Sequence, residues 1–208
     1  MVHAYHLIIP MYGFWLPNDP RGSWSEVIRK WELLMFGDLV RTMDRQSLGE
    51  LTPAEREQRR LAKATLDFPP VSITGLQAAG ISRGFGLQIA KSQYTVWACS
   101  ILPEHTHLVI ARHRYAIEQI ANLLKGASTA QLMVEGQHPF AHFARPNERP
   151  PRMWAARRWK VFLDSEEAIE NAIRYVEDNP VKEGKLKQNW PFVTPFRGLP
   201  QSGIVTYD

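Results

Sequence analysis

The sequence predicts an α+β protein of ferredoxin-like type, an antiparallel sheet with helices on one face and an extra C-terminal helix. Three observations predict it. Residues 94–102 and 106–112 are β-branched, apolar runs around a short Pro103-Glu104 turn, which reads as a hairpin. Next, Ile117, Ile120, Leu123, Leu124 and Leu132 recur at helical spacing, the mark of an amphipathic helix over about 115–134. The full order, β-α-β-β-α-β and then one more helix, matches the ferredoxin-like sandwich.

The remaining elements follow in chain order. Residues 5–9, Tyr-His-Leu-Ile-Ile, read as the first strand and run into a turn-rich loop over 12–24. From about Trp24 to Asp67 the chain looks helical and highly charged. Thr52-Pro-Ala-Glu55 has the form of a capping box with Pro at the first helical position. Few large apolar residues fall between Ser47 and Lys63, so this stretch reads as a solvated excursion, a helical insertion at about 30–70. Val71-Ser-Ile-Thr74 could form a short strand. Residues 75–92 read as a helix loosened by Gly80, Gly84 and Gly86. A Pro-rich loop covers 136–152, and Trp159-Lys-Val-Phe-Leu163 is the last strand. Asp164 or Ser165 caps a final helix with Glu166 and Glu167 in its first turn. Pro180 is expected to end it, because the residue before a proline is pushed out of the α region.

Composition narrows the class. At 208 residues the chain has room for one domain, spanning 1–208 and carrying the insertion. It is 44% hydrophobic and 22% charged, as an ordinary globular protein is. No run of 18 apolar residues occurs, and the N-terminus lacks a basic leader, so no membrane span or signal peptide is expected. Cys99 is the single cysteine and excludes an internal disulfide. A cytoplasmic location is the expectation. The net charge of +4 mildly favours a polyanionic partner.

The chemistry concentrates in two places. On a strand, residues two apart share a face, so His105 and His107 project together, roughly 6–7 Å apart at Cβ, and can converge on one ion. On a helix, residues four apart share a face, which pairs Tyr175 with Asn179. Two imidazoles, a phenol and an amide are the parts needed for metal-assisted attack of a tyrosine on a phosphodiester. Each has an ordinary alternative: buried strands carry histidines, helical tyrosines pack in cores, and Asn-Pro stops helices. Position at the tip of a hairpin favours the functional reading of the histidines, since sites gather where strands meet loops. His113 reads as surface or DNA-facing, and His138 with His142 as solvated loop residues. Between Arg145 and Lys160 lie six basic residues (Arg145, Arg149, Arg152, Arg157, Arg158 and Lys160) against Glu148, interleaved with Trp154 and Trp159. Such a stretch suits single-stranded or hairpin DNA through phosphate contacts and stacking, unless the tryptophans simply anchor the last strand. Arg21 and Lys182, with Lys185 and Lys187, are weaker candidates.

Three stretches together resemble the single-tyrosine HUH transposases, the family that includes the REP-associated tyrosine transposases. They are residues 12–24, the Leu-Pro-Glu-His-Thr-His-Leu-Val-Ile run of 102–110, and Tyr-Val-Glu-Asp-Asn-Pro-Val-Lys-Glu-Gly of 175–184. The Arg-Gly-Gly-rich opening associated with the REP-associated subgroup is absent, so that subgroup's hairpin specificity is not carried over. The resemblance implies a tyrosine transposase that cuts and joins single-stranded DNA. It implies that Tyr175 attacks phosphorus to give a covalent 5′-phosphotyrosine. It also implies that His105, His107 and the Asn179 amide hold a divalent cation, Mg²⁺ or Mn²⁺, with imidazoles leaning toward Mn²⁺. Lys125 resembles a phosphate-contacting lysine of the family. A phenol, whose solution pKa is near 10, needs help in losing its proton. The rival reading is a ferredoxin-like DNA-binding protein without catalysis, which has no need of all four site residues. A zinc hydrolase would need a further ligand, and Glu104 faces away from both histidines on a strand. Monomer and homodimer, with the tyrosine helix docked in cis or exchanged, both remain compatible with the sequence.

Overall fold

Alternation along the first strand sets up the whole sheet. In β1 (Ala4–Pro10), Tyr5, Leu7 and Ile9 face one way, and Ala4, His6 and Ile8 the other. A computed structural model describes residues 1–14, 52–64, 66–156 and 158–199. In it β1 lies inside a four-stranded sheet of order β2-β3-β1-β4, where β2 is Val96–Ile101, β3 is His105–Ala111 and β4 is Trp159–Leu163. Every neighbouring pair is antiparallel. The strand bearing the two histidines is therefore an inner one, as the hairpin reading requires.

Helices cover both faces. Those preceding β2 and following β3, α2 (Gly75–Ser92) and α3 (Ile117–Val134), pack on the face of Leu7, Ile9, Leu108 and Ile110. The last helix, α4 (Glu166–Lys182), packs with Ala168, Ile169, Ala172 and Val176 on the opposite face, against Ala4, Val109, Val161 and Leu163. The fold is α+β and ferredoxin-like, with two helices on one face and the extra C-terminal helix alone on the other. A fourth helix, α1 (Pro53–Ala64), starts at the proline expected to open it. The rest of the expected helical stretch from 24, most of the loop over 12–24 and most of the insertion lie outside the described residues, as do Arg21 and Arg157. No described helix is long and apolar enough to cross a membrane.

Local chemistry explains the boundaries. Thr74 and Gln77 form a reciprocal capping box at the start of α2, with bonds of 2.9 and 3.3 Å. That capping role takes residues 71–74 out of the sheet. Val71 and Ile73 each donate one backbone bond, to Tyr12 and Pro103, so the short strand anticipated there is an extended strap instead. Helix α3 begins at Ile117, two residues later than its apolar spacing suggests, because the Tyr115 N–H bonds to His113 Nδ1 and Ala116 is extended.

Helix α4 also departs from expectation, continuing through Pro180 to Lys182. The stop comes from Gly184 in the left-handed region (φ 69°), with Gly184 N–H bonded to Val181 O and Lys185 N–H to Pro180 O. This is a Schellman closure, which needs a residue tolerant of positive φ. Its consequence is functional: Asn179 remains inside the helix, one turn from Tyr175 and in register with it.

Candidate functional site on the face covered by the last helix

Strand parity builds the site. His107 lies opposite Ile8 of β1 and Ser100 of β2, and His6 lies opposite Val109. His6, His105, His107 and Ser100 thus share the face that α4 covers. The diagonal cross-strand pair makes a direct bond, His6 Nε2 to His107 Nδ1, at 2.9 Å. Both rings are out of solvent, at 0% and 1% exposure. Burial pushes His6 down to about 3. His107 lies well below the ordinary histidine range, through burial first and then the neighbouring His105 and His6. Both imidazoles are therefore neutral near pH 7, the form that can offer a lone pair to a cation.

Tyr175 lies against this pair within the same chain. Its ring centroid is 5.7 Å from that of His107 and 5.8 Å from that of His6. His105, half-buried at the mouth of β3, meets the His107 ring edge-on at 4.7 Å and stacks on Phe14 at 4.7 Å. One turn after Tyr175, Asn179 is buried, and its amide nitrogen has no hydrogen-bond partner among the described residues. A buried amide left this way carries a cost unless something else engages the side chain. Lys182 reaches back so that its ammonium sits 5.4 Å from the Tyr175 ring centroid, with Asp178 at 3.9 Å. Beyond it, Glu183 is partly buried and its carboxyl is raised, chiefly by desolvation, opposed by Lys185 and reinforced by Glu104. That last influence brings the end of α4 close to the start of β3.

The residue types suit a hard or borderline divalent cation: the imidazoles of His105 and His107 and the amide of Asn179. The described residues contain no cluster of three His, Cys, Asp or Glu placed to hold a metal. Asn179, an amide, is of a different residue type.

The other described basic candidates are tied into the fold. Lys160 pairs with Glu118 at 2.5 Å, and Arg158 bonds to Asn122 at 3.2 Å, both tying β4 and its approach to α3. Lys125 donates to the Ala155 carbonyl at 2.7 Å, and burial, helped by Arg158, lowers it to about 8. Since Ala155 bonds to Pro10, which lies opposite His105, Lys125 stands at the same end of the sheet as the histidines. Trp154 and Trp159 are buried, and Trp154 stacks on Phe85 at 6.3 Å. They anchor the core and are not stacking platforms. His113, partly buried, sits between Tyr94 and Tyr115, at 4.9 and 5.0 Å. His138 is buried, not solvated, and accepts the Phe140 N–H, while the His142 ring lies tilted against Phe143 at 4.1 Å.

Sequence reasoning missed His6 and Phe14. A single histidine in a strand carries no spacing signal. Only its parity with Ile8, set against that of His107 across the β1–β3 pair, could have revealed it.

No family model matches the chain, and no curated protein does. Among solved structures it is similar in fold to a REP-associated tyrosine transposase bound to a REP hairpin, with 13% identity and a TM-score of 0.46. That match covers 91% of this chain and 74% of the other. It is also similar to a Deinococcus radiodurans R1 protein assigned as a transposase, with 14% identity and a TM-score of 0.36, over 86% and 91% of the two chains.

Proposed function

We propose that the protein is a metal-dependent tyrosine transposase that cuts and rejoins single-stranded DNA through a covalent phosphotyrosine. One observation carries this reading: a single chain holds the Tyr175 ring against two buried, neutral histidines, 5.7 and 5.8 Å away. An ordinary core would place an aliphatic side chain at His6 or His107, because burying two imidazoles sacrifices hydration that a leucine does not have.

In this reading His105, His107 and Asn179 hold Mg²⁺ or Mn²⁺. The cation, when bound, polarises the scissile phosphate and screens its charge. The chain's own residues do the rest. The α4 register delivers the Tyr175 hydroxyl to the site, and its oxygen forms a bond to phosphorus as the bond from phosphorus to the 3′ oxygen breaks. The phenolic proton leaves, and the departing 3′ oxygen gains one to become a hydroxyl. Lys182, with its ammonium near the ring, favours the anionic phenol during attack. Because the phosphodiester energy stays in the phosphotyrosine, a 3′-hydroxyl can reverse the step without a nucleotide. Burial of His6, His107 and Val176 keeps bulk water from the protein side of the site.

DNA binding is assigned to Lys125 and Lys182 near the site, and to Arg158, Lys160, Arg157 and Arg21 as outer phosphate contacts. Residues of about 30–70 are read as an insertion into this one domain.

The test is covalent capture. The full chain, incubated with Mn²⁺ and single-stranded hairpins taken from the flanks of its own gene, should give an adduct that survives SDS. Tyr175→Phe keeps the ring and its packing, so it should bind the same hairpins and give no adduct. An adduct formed by Tyr175→Phe overturns the nucleophile. Tight hairpin binding by the wild type without any adduct favours the non-catalytic DNA-binding protein.

A further inference from the structure

Two imidazoles joined by one ring N–H···N bond must divide the roles of donor and acceptor. If His6 Nε2 donates, His107 accepts at Nδ1, and its proton then sits on Nε2. In that state neither ring nitrogen of His107 has a lone pair to spare. If instead His107 donates from Nδ1–H, His6 accepts at Nε2, and the lone pair of His107 stands on its own Nε2. The 2.9 Å contact is compatible with either, and ring protons are a matter of assignment. The two tautomers are not equal in chemistry: only the second can ligate a cation.

Resting on the transposase reading, we propose that His6 is a positioning residue that accepts the Nδ1–H of His107 and so presents His107 Nε2 to the divalent cation. Ligating histidines characteristically give their other N–H to an oriented partner, which fixes the ring and its tautomer. Here that partner is carried on the neighbouring strand. The β1–β3 register places His6 two residues from Ile8, which faces His107, so the bond is set by strand pairing and not by a flexible loop. Both rings are buried, so water does not compete for the bond. His6 has a second contact in keeping with this role, its ring lying 5.8 Å from that of Tyr175. A substitution there reaches the cation side and the nucleophile side together.

The experiment uses the full chain with ¹⁵N-labelled histidine. Long-range ¹H–¹⁵N correlation on the metal-free protein reads which nitrogen of His107 is protonated, and Mn²⁺ titration followed by EPR reads the affinity. In the wild type His107 should carry its proton on Nδ1. His6→Phe keeps an aromatic ring beside Tyr175 but removes the acceptor. It should leave His107 in mixed or Nε2–H form and weaken Mn²⁺ binding roughly 10- to 100-fold. His6→Gln sets a carbonyl oxygen near the place of Nε2 and should restore both readings most of the way.

A wild type with His107 protonated on Nε2 overturns the inference. So does a folded His6→Phe that keeps wild-type Mn²⁺ affinity while His107→Ala loses it, although the metal site itself would then stand. If His105→Ala and His107→Ala both bind Mn²⁺ like the wild type, the metal reading fails first. Should His6→Phe not fold by circular dichroism, His6→Gln decides. Near-native affinity with an Nδ1–H tautomer supports the role, and affinity as poor as that of His107→Ala removes it.

Discussion

The two faces of the sheet are made by the same four strands and differ in kind. Toward α2 and α3 the strands present Leu7, Ile9, Ile101, Leu108 and Ile110, joined by Ile81, Phe85, Ile120 and Leu124. Toward α4 they present Ala4, Ala98, Val109, Val161 and Leu163, with His6 beside Val109 and Val161, and Ser100 and His107 beyond. The first face is covered by two helices with large aliphatic and aromatic side chains, each contributing about 1.5–3 kcal/mol by burial. The second is covered by one helix that meets it through alanines and Val176, then through Tyr175 and Asn179 where the polar residues begin. Strand alternation lets a protein separate the two tasks within one sheet. Stability is concentrated on one surface, so the other can carry buried groups that stability alone would not select.

The largest effect expected from breaking this division is on the aliphatic face. Phe85 is fully buried and stacks on Trp154. Phe85→Ala should therefore cost about 3–5 kcal/mol in urea unfolding. The same variant, at temperatures where it stays folded, should bind Mn²⁺ like the wild type. A parallel loss of Mn²⁺ affinity would mean that the two faces are coupled, and that the separation drawn here is wrong.

Acid should act on the other face. His6 falls from an ordinary 6.5 to about 3 on folding, and His107 shifts in the same direction. The folded state therefore binds fewer protons than the unfolded chain, and stability is lost as pH falls below 6.5 toward 3, with no contribution above 6.5. Each histidine adds a slope of up to about 1.4 kcal/mol per pH unit within that window. His6→Phe removes one proton from this balance. Its urea stability, followed from pH 7 to pH 4, should decline less steeply than that of the wild type. Equal slopes would show that the buried histidines are not the source.

The sequence made the aliphatic face legible because its signal is periodic. The hairpin and the amphipathic spacing of α3 each repeat a local pattern that needs no partner. Half of the site was legible for the same reason, through the i, i+2 histidines and the i, i+4 pair of Tyr175 and Asn179. His6 was not, since its meaning depends on which strand lies beside β3 and in what register. Pro180 misled because a proline in the last turn removes one N–H but leaves the following carbonyl closure to Gly184. The basic stretch was less legible, because charge in a sequence carries no direction. Lys160 and Arg158 turn to α3, and Trp154 and Trp159 turn inward.

Two glycines in α2 provide the finest test of how the aliphatic face is closed. Read as sequence, Gly84 and Gly86 equally weaken a helix, each by about 0.8–1.0 kcal/mol relative to alanine. The structure distinguishes them. A Cβ at Gly84 would stand 2.6 Å from Ser128 Cα and 2.8 Å from the Ala127 carbonyl oxygen, so α2 and α3 would have to move apart. At Gly86 the nearest atom is Phe192 Cδ1 at 3.5 Å, an ordinary contact. Overpacking against backbone costs about 1–3 kcal/mol, which outweighs the propensity gained. Gly84→Ala should therefore lower the urea midpoint, whereas Gly86→Ala should raise it by the equivalent of up to about 1 kcal/mol. The two changes have opposite signs two residues apart in one helix. If both stabilised the protein, the close approach of α2 and α3 at Ser128 would not be the feature that closes this face.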